Sequence, residues 1–234
     1  MFALGEVKMN LTRLFYFNVV FALILQPAQA SVTSSFDVDS ENWQIVSFAD
    51  FSQNDYRIVG QYQPSFMTGG GNPGNYLAAN DPDAGDFTFS APGAFLGAQS
   101  AATGLSYDLT YRNGDVNWQT TDVMLVGNGL RLLWKRNPDI VPNSGWTHIG
   151  LSFTPSSEWR LGTSTGGFAS ENDFRNVLSN LSGLYIHGEF TNGIVETAGL
   201  DNVVLQTVPL PGAFWLFGWG LCGFWRSARL KRWR

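Results

Sequence analysis

The stretch Val123-Met-Leu-Val-Gly-Asn-Gly-Leu-Arg-Leu-Leu-Trp134 decides the fold class of this chain. Its two apolar runs, residues 123–126 and 130–134, have the length of β-strands and flank Gly127-Asn128-Gly129. An Asn-Gly pair favours a tight turn between antiparallel strands, because both residues tolerate positive φ angles. The stretch therefore predicts a β-hairpin.

Further strand patterns lie on both sides of this hairpin. Alternation with smaller or polar residues, the period of a half-buried strand, is found at Leu105, Tyr107, Leu109 and Tyr111. Apolar runs of strand length occupy residues 146–153, 184–190 and 200–207. Short strands separated by Gly, Pro and Asn turns predict an all-β sandwich or barrel.

One short helix interrupts the strands. A shared helical face is formed by Phe174, Val177, Leu178 and Leu181. Ser170 and Asp173 have the spacing of a capping pair at the start of this helix, and Gly183 is expected to end it. Two other stretches are predicted to lack regular structure: residues 69–75, rich in Gly, as a long loop, and residues 80–86, rich in Asp, as a surface turn.

The N-terminal end has the composition of a signal peptide. Arg13 precedes an almost wholly apolar run at residues 14–25, and Ala28-Gln29-Ala30 supplies the small-x-small pattern that a signal peptidase accepts. Residues 1–30 are therefore predicted to form a signal helix that is removed by signal peptidase, which leaves Ser31 as the first mature residue. Met9 is an alternative start, because residues 1–8 add nothing that a signal needs.

The C-terminal end, residues 208–234, combines three parts. Val208-Pro209-Leu210-Pro211 is followed by an apolar segment at residues 212–225 and by a terminus with five Lys and Arg in its last nine residues. The apolar segment is shorter than the roughly 20 residues with which a helix crosses a bilayer. The basic cluster would hold the end on the cytoplasmic side of a membrane. A hydrophobic anchor helix is predicted here.

The order of these three parts resembles the PEP-CTERM sorting signal. That resemblance implies recognition at Val208, Pro209, Leu210 and Pro211 by an exosortase in the inner membrane of a Gram-negative bacterium that makes exopolysaccharide. Trp219 departs from the pattern, since the family usually has small residues there. An ordinary single-span tail anchor is the alternative.

Residues 31–207 are long enough for one domain with a proper core. Residues 31–208 contain 18 Asp and Glu against 7 Lys and Arg, a formal charge of −11. This balance argues against a nucleic-acid partner, which requires a basic face. Cys222, the single cysteine, lies in the tail, so the mature domain depends on core packing or a metal ion rather than on a disulfide.

Several segments, in order, resemble the laminin B domain, also called laminin domain IV. They are Phe89-Ser-Ala-Pro-Gly-Ala-Phe-Leu-Gly97, Leu105-Ser-Tyr-Asp-Leu109, Asp122-Val-Met-Leu-Val-Gly-Asn-Gly129, Trp146 with the apolar strand after it, Phe174-Arg-Asn-Val-Leu-Ser-Asn-Leu181, Leu184-Tyr-Ile-His-Gly-Glu189 and Gly199-Leu-Asp-Asn-Val-Val-Leu205. The resemblance covers about residues 72–205. It implies a jelly-roll β-sandwich related to galactose-binding and carbohydrate-binding modules, with no catalytic residues to transfer.

The residues themselves also give little support to an enzyme. His148 and His187 lie on predicted strands, without an HExxH, CxxC or Ser-His-Asp pattern. Glu158 and Glu189 are the acids that a glycosidase would pair across a scissile bond, but sequence cannot bring them together. We predict a non-enzymatic protein and keep glycan hydrolysis as an alternative.

No cofactor is required by this interpretation, although calcium binding is left open. Asp37, Asp39 and Glu41 open the first strand, and Asp201 lies in the last one. Calcium takes six to eight oxygen ligands and could join these two strands, as it does in many sandwich modules. The alternative is that these acids are solvated or make hydrogen bonds within turns.

Sugar binding calls for aromatic rings at the surface, because pyranose faces are apolar and stack on Trp or Tyr. Trp118 lies in a polar stretch and is the first candidate, with Tyr62 and Tyr76 near the Gly-rich segment behind it. The strand patterns predict a core position for the following residues: Trp43, Trp134 and Trp146.

Together these features predict an exported module of the cell surface or extracellular matrix. Its precursor would pass through the inner membrane, and its mature form would bind extracellular polysaccharide or build a surface layer. A protein-binding adhesin that recognises a surface protein is the alternative among non-enzymatic functions.

Overall fold

The computed structural model describes residues 30–51, 53–112, 121–141, 143, 145–191 and 194–208. The predicted signal helix and the predicted anchor helix lie outside these residues. So do Trp118, Cys222 and most of the sorting motif.

Within the described residues the chain forms thirteen strands and one α-helix. The strands are β1 (Val32–Ser34), β2 (Gln44–Asp50), β3 (Asp55–Tyr62), β4 (Ser65–Gly71), β5 (Gly74–Asn80), β6 (Asp86–Ser90), β7 (Ala102–Arg112), β8 (Val123–Gly127), β9 (Leu130–Trp134), β10 (Thr147–Ser152), β11 (Trp159–Leu161), β12 (Leu181–His187) and β13 (Thr197–Thr207). The helix, α1, spans Glu171–Ser179, and a 3-10 turn spans Gly93–Phe95.

The strands form two antiparallel sheets. The first sheet has the order β10-β7-β13-β5-β4, and β1 also pairs with β13. The second has the order β11-β9-β8-β12-β6-β2-β3. The prediction of an all-β sandwich with one short helix is therefore confirmed. Since β1 lies beside β13, with Val32 opposite Leu205, the first and last strands of the sandwich are neighbours.

The main core lies between the inner faces of the two sheets. The alternating residues of β7 all point into it, and they are buried: Leu105, Tyr107, Leu109 and Tyr111. A second, smaller cluster lies apart from this core and consists of Val46, Phe48, Phe51 and Met124. The alternation in the sequence therefore identified the inner face of a central strand.

The predicted hairpin at residues 123–134 is present as β8 and β9. Asn128 and Gly129 form its turn with φ angles of 47° and 77°, the positive values that the Asn-Gly pair predicted. Leu125 lies opposite Leu132, and both are fully buried in the main core.

The helix begins as predicted and ends earlier than predicted. The Ser170 side chain accepts a hydrogen bond from the backbone N–H of Asp173, whose carboxylate accepts one from the backbone N–H of Ser170. The helix ends at Ser179, because the chain must turn to begin β12 at Leu181. Leu181 is buried in the same core, but as a strand residue.

Residues 69–75 are not a long loop, contrary to the prediction. They belong to a hairpin in which β4 and β5 pair up to Gly71 and Gly74, with Asn72 and Pro73 between them. Glycine is needed at residue 71, where a Cβ atom would lie 2.4 Å from the carbonyl oxygen of Asn75. The glycines therefore permit a close turn. We call the hairpin formed by β4 and β5 the Gly-rich hairpin.

Candidate functional site

The outer face of the first sheet carries an unusual set of polar and aromatic side chains. The strand register places His148 of β10 opposite Asp108 of β7, and Asp108 opposite Asp201 of β13. Tyr76 of β5 lies one position beyond the end of the β13–β5 ladder. These four residues define what we call the polar face.

His148 and Asp108 form a close pair on this face. The Nδ1 atom of His148 lies 2.6 Å from Oδ1 of Asp108. The His148 side chain is 69% exposed, whereas the Asp108 side chain is 5% exposed. An accessible imidazole is thus attached to a buried carboxylate, which restricts its orientation.

Two amide side chains hold the other oxygen of Asp108. Its Oδ2 atom accepts hydrogen bonds from Nδ2 of Asn72, at 3.1 Å, and from Nδ2 of Asn202, at 2.8 Å. Asn202 also donates from Nδ2 to the backbone carbonyl of Asn72. Asp108 therefore links His148 to the tip of the Gly-rich hairpin.

Asp201 is fully buried beneath the same hairpin. Its Oδ2 accepts a 2.7 Å hydrogen bond from the backbone N–H of Asn72, and its Oδ1 accepts one of 2.7 Å from the backbone N–H of Asn202. Burial raises the pKa of Asp201, these hydrogen bonds oppose the increase, and the charges of Asp108 and Asp37 add to it. The carboxylate anchors the turn to β13.

Tyr76 and Trp146 form an aromatic pair beside these carboxylates. Their ring centroids are 5.2 Å apart, with the ring planes at 84°. Nε1 of Trp146 donates a 2.9 Å hydrogen bond to the carbonyl of Gly70. The Tyr76 ring lies across Gly199, where a Cβ atom would come within 2.9 Å of it. Both rings are half-buried, so each presents part of its surface to solvent.

Trp146 therefore differs from its prediction as a core residue, whereas Trp43 and Trp134 are buried as predicted. β10 begins at Thr147, so Trp146 precedes the strand and lies over the Gly-rich hairpin. Sequence reasoning also missed Asp108 as a site residue. The alternating pattern of β7 places Asp108 on the outer face of the strand, and this position could have indicated a site residue.

Of the other two predicted aromatic residues, only Tyr62 is described, and it does not join Tyr76. Tyr62 lies in β3, an edge strand of the second sheet, and its hydroxyl donates a 2.7 Å hydrogen bond to Oδ2 of Asp83. Trp118, Pro209, Leu210 and Pro211 are outside the described residues. Val208 is described and exposed, and its N–H donates to the carbonyl of Ala101.

The acids predicted for calcium make hydrogen bonds within the protein. Oδ2 of Asp37 accepts from Ser35 Oγ, and Oδ1 of Asp39 accepts from the backbone N–H of Glu41. Oε1 of Glu41 accepts from the backbone N–H of Phe36. In the part of the chain that the structure describes, no group of three or more His, Cys, Asp or Glu residues is arranged to hold a metal ion. Calcium binding stays a prediction.

The two glutamates considered for hydrolysis have different surroundings. Glu158 accepts a 3.1 Å hydrogen bond from Nε1 of Trp134 near the surface. Glu189 is buried, and its Oε2 accepts one of 3.1 Å from the backbone N–H of Phe87. Burial raises the pKa of Glu189 to about 9, and the charge of Asp86 adds to the increase. Nothing in these contacts joins them in one site.

His187, unlike His148, is buried. Its ring lies between Phe51 and Phe190, with centroid distances of 5.0 and 5.5 Å. Burial lowers the pKa of His187 to about 3, so the imidazole is neutral at physiological pH. It has the surroundings of a packing residue.

The architecture is that of an all-β sandwich of two antiparallel sheets with one short helix. The sequence model of the family described as laminin B (domain IV) matches residues 88–213. The chain therefore belongs to the laminin B (domain IV) family. Membership supports an extracellular binding or structural module.

The chain is similar to solved structures. The L4b domain of human laminin alpha-2 is 11% identical and aligns with a TM-score of 0.59 over 77% of this chain and 99% of that domain. The family 11 carbohydrate-binding module from Clostridium thermocellum, in complex with a β-1,3-1,4-mixed-linked tetrasaccharide, is 14% identical, with a TM-score of 0.40 over 79% of this chain and 93% of that module. Among curated protein sequences none matches.

Among the described residues, no helix is long and apolar enough to cross a membrane.

Proposed function

We propose that the protein is an exported, non-enzymatic module of the cell surface or extracellular matrix that associates with exopolysaccharide through its polar face. The observation that carries this proposal is the half-buried Tyr76–Trp146 pair beside the exposed His148. A sugar ring has apolar faces and polar edges. Aromatic side chains can stack on the apolar faces of the sugar, and a few fixed polar groups can form hydrogen bonds with its polar edges.

The two ends of the chain complete the proposal. Residues 1–30 direct export and are removed by signal peptidase. Residues 208–234 hold the precursor in the inner membrane until an exosortase-type enzyme acts at Val208-Pro209-Leu210-Pro211. The order of Pro motif, apolar segment and basic cluster in the sequence supports this step. Deletion of residues 208–211 should leave precursor in the inner membrane, and normal surface protein after the deletion would refute the sorting step.

Sedimentation of the purified protein with exopolysaccharide tests the binding function. Replacement of both rings, Tyr76→Ala with Trp146→Ala, should reduce the bound fraction at least tenfold. Phe168→Ala is the matched control, because Phe168 is 60% exposed and stacks with Arg160 away from the polar face. Equal binding by the double variant and the control would contradict the proposal. A fall in polymer length during incubation would favour the glycan-degrading alternative.

A protein-binding adhesin is the second candidate. Three exposed apolar side chains lie on the consecutive edge strands β3 and β4: Ile58, Val59 and Met67, with exposed fractions of 47%, 50% and 39%. Exposed apolar groups on edge strands are typical of protein contacts. Under this alternative, Ile58→Ser with Val59→Ser would abolish attachment to the surface, and the ring variants would not.

A further inference from the structure

His148 presents one defined ring nitrogen to solvent. Its Nδ1 atom faces Oδ1 of Asp108 at 2.6 Å. The other oxygen of Asp108 accepts from two amide groups, those of Asn72 and Asn202. A carboxylate has acceptor oxygens and no N–H or O–H to donate, so Nδ1 of His148 is assigned as the donor to Oδ1. In the neutral imidazole Nε2 is then an acceptor.

This acceptor lies on the accessible side of the ring, beside an aromatic surface. The His148 side chain is 69% exposed, while its Nδ1 atom is hydrogen-bonded to the buried carboxylate of Asp108. Trp146 lies two residues earlier, which is about 7 Å along an extended chain. Its ring contacts Tyr76. A group that stacks on Trp146 or Tyr76 can therefore place a hydroxyl near Nε2 of His148.

The charges of the polar face select against an anionic group. Two of its four residues, Asp108 and Asp201, lie opposite each other, and Asp37 is near enough to raise the pKa of Asp201. Arg112 is the outward basic residue of β7, but it lies four residues beyond Asp108, about 13 Å along the strand. Among the described residues, the polar face contains no Lys or Arg, so a carboxylated or sulfated sugar would bring a negative charge towards two carboxylates.

We infer that the polar face recognises an uncharged, hydroxyl-rich sugar unit, with Nε2 of His148 accepting a hydrogen bond from a sugar hydroxyl. Asp108 is a positioning residue, because it acts by fixing the proton on Nδ1 of His148. Asn72 and Asn202 act one step further away, by holding Asp108. This inference rests on the proposed function and adds the ligand class and the atom that recognises it.

The first test compares neutral and acidic probes with purified protein. Binding to gluco-, galacto- and manno-oligosaccharides is measured by calorimetry against binding to galacturonate oligomers of the same length. At least one neutral series should bind ten times more tightly than the galacturonates. His148→Phe should weaken this binding at least tenfold, His148→Gln should retain part of it, and Gln206→Ala, an exposed change in β13, should leave it unchanged.

The second test reads the protonation state of His148 directly, so it does not depend on a variant that folds. The chain has two histidines, and the buried His187 serves as the internal reference in a 15N NMR spectrum of the imidazoles. His148 should carry its proton on Nδ1, and a bound neutral sugar should shift the Nε2 resonance. Asp108→Asn should increase the population with the proton on Nε2 and weaken binding.

The outcomes separate this inference from the proposed function. If the wild-type protein binds neither the oligosaccharides nor whole exopolysaccharide, the proposed function is wrong. If it binds exopolysaccharide but prefers galacturonates, or if His148→Phe binds as well as wild type, the proposed function stands and this inference is overturned. A proton found on Nε2 of His148 in the free wild-type protein would also overturn it.

Discussion

Asp201 and Asp108 lie opposite each other on neighbouring strands, and one residue, Asn72, donates a hydrogen bond to each carboxylate. Its backbone N–H serves Asp201 and its side-chain amide serves Asp108. Two like charges on adjacent strands repel each other, and these donors offset the repulsion. The tip of the Gly-rich hairpin is thus part of the polar face.

The first prediction concerns this contact. Asn72→Ala removes the amide donor to Asp108 but keeps the backbone N–H that serves Asp201. We expect the free energy of unfolding to fall by about 1–2 kcal/mol, since a lost hydrogen bond to a charged group costs roughly this much. Urea denaturation measures the loss. Asn80→Ala is the control, because Asn80 accepts a single exposed bond from Thr197, and equal effects of the two changes would contradict the prediction.

The second prediction uses two glycines on the outer face of the first sheet. Gly199→Ala would place a Cβ atom 2.7 Å from Cγ2 of Thr110 and 2.9 Å from the Tyr76 ring. The ring must move, so we expect a loss of about 1–3 kcal/mol in stability and a change in tryptophan fluorescence from Trp146. Gly150→Ala is the matched control, since its Cβ would meet nothing within 4 Å. Identical melting curves for the two variants would be evidence against this packing.

The third prediction compares two buried tyrosines of β7. The Tyr111 hydroxyl donates to Oε1 of Glu196 at 2.7 Å and lies 2.6 Å from Oγ1 of Thr191. The Tyr107 hydroxyl is buried, and no described residue forms a hydrogen bond with it. Tyr111→Phe should therefore cost about 1–3 kcal/mol, whereas Tyr107→Phe should be neutral or slightly stabilising. Thermal unfolding decides between them, and a larger loss for Tyr107→Phe would reverse the interpretation.

The fourth prediction concerns pH. The pKa of Glu189 is raised from 4.5 to about 9, chiefly by burial, so the folded state binds its proton more tightly than the unfolded state does. The stability that this carboxyl contributes is complete below about pH 4.5 and is lost as the pH rises towards about 9. Glu189→Gln keeps the acceptor for Phe87 and has no proton to lose.

The free energy of unfolding of Glu189→Gln should equal that of wild type near pH 4. At pH 7–8 it should be higher by about 1–3 kcal/mol, since one pKa unit corresponds to about 1.4 kcal/mol. Denaturation at several pH values checks the trend. Glu158→Gln makes the same chemical change near the surface and serves as the control. A stability difference between Glu189→Gln and wild type that stays constant from pH 4 to pH 8 would show that ionisation of Glu189 is not the cause.

Local patterns were sufficient to predict most of the sandwich. The alternation from Leu105 to Tyr111, the Asn128-Gly129 turn and the Ser170–Asp173 capping pair each depend on residues a few positions apart. Such features follow from strand period, turn geometry and helix capping, and they survive in the folded protein unchanged. The end of the helix could not be predicted in this way, because it depends on where β12 begins.

The candidate site depended on contacts that the sequence does not display. Asn72 meets Asp201 across 129 positions, and Trp146 meets Gly70 across 76. These contacts convert an apparent loop into a hairpin and bring an apparent core tryptophan to the surface. Tyr76, a half-buried residue, lies in the hairpin that contains the Gly-rich segment. Its partner Trp146 was assigned to the core, because Trp146 resembles a strand residue until the hairpin is placed.

The pairing of β1 with β13 has a mechanical consequence. Val32 lies opposite Leu205, so the two termini of the sandwich domain leave from the same end of this strand pair. Tension between the termini would therefore break the hydrogen bonds between β1 and β13 one residue pair after another. Peeling away three residues of β1 would leave the ladders on both sides of β7 intact. The sandwich would thus give way first at its N-terminal strand, while a polymer held on the outer face of β7 and β10 would stay attached.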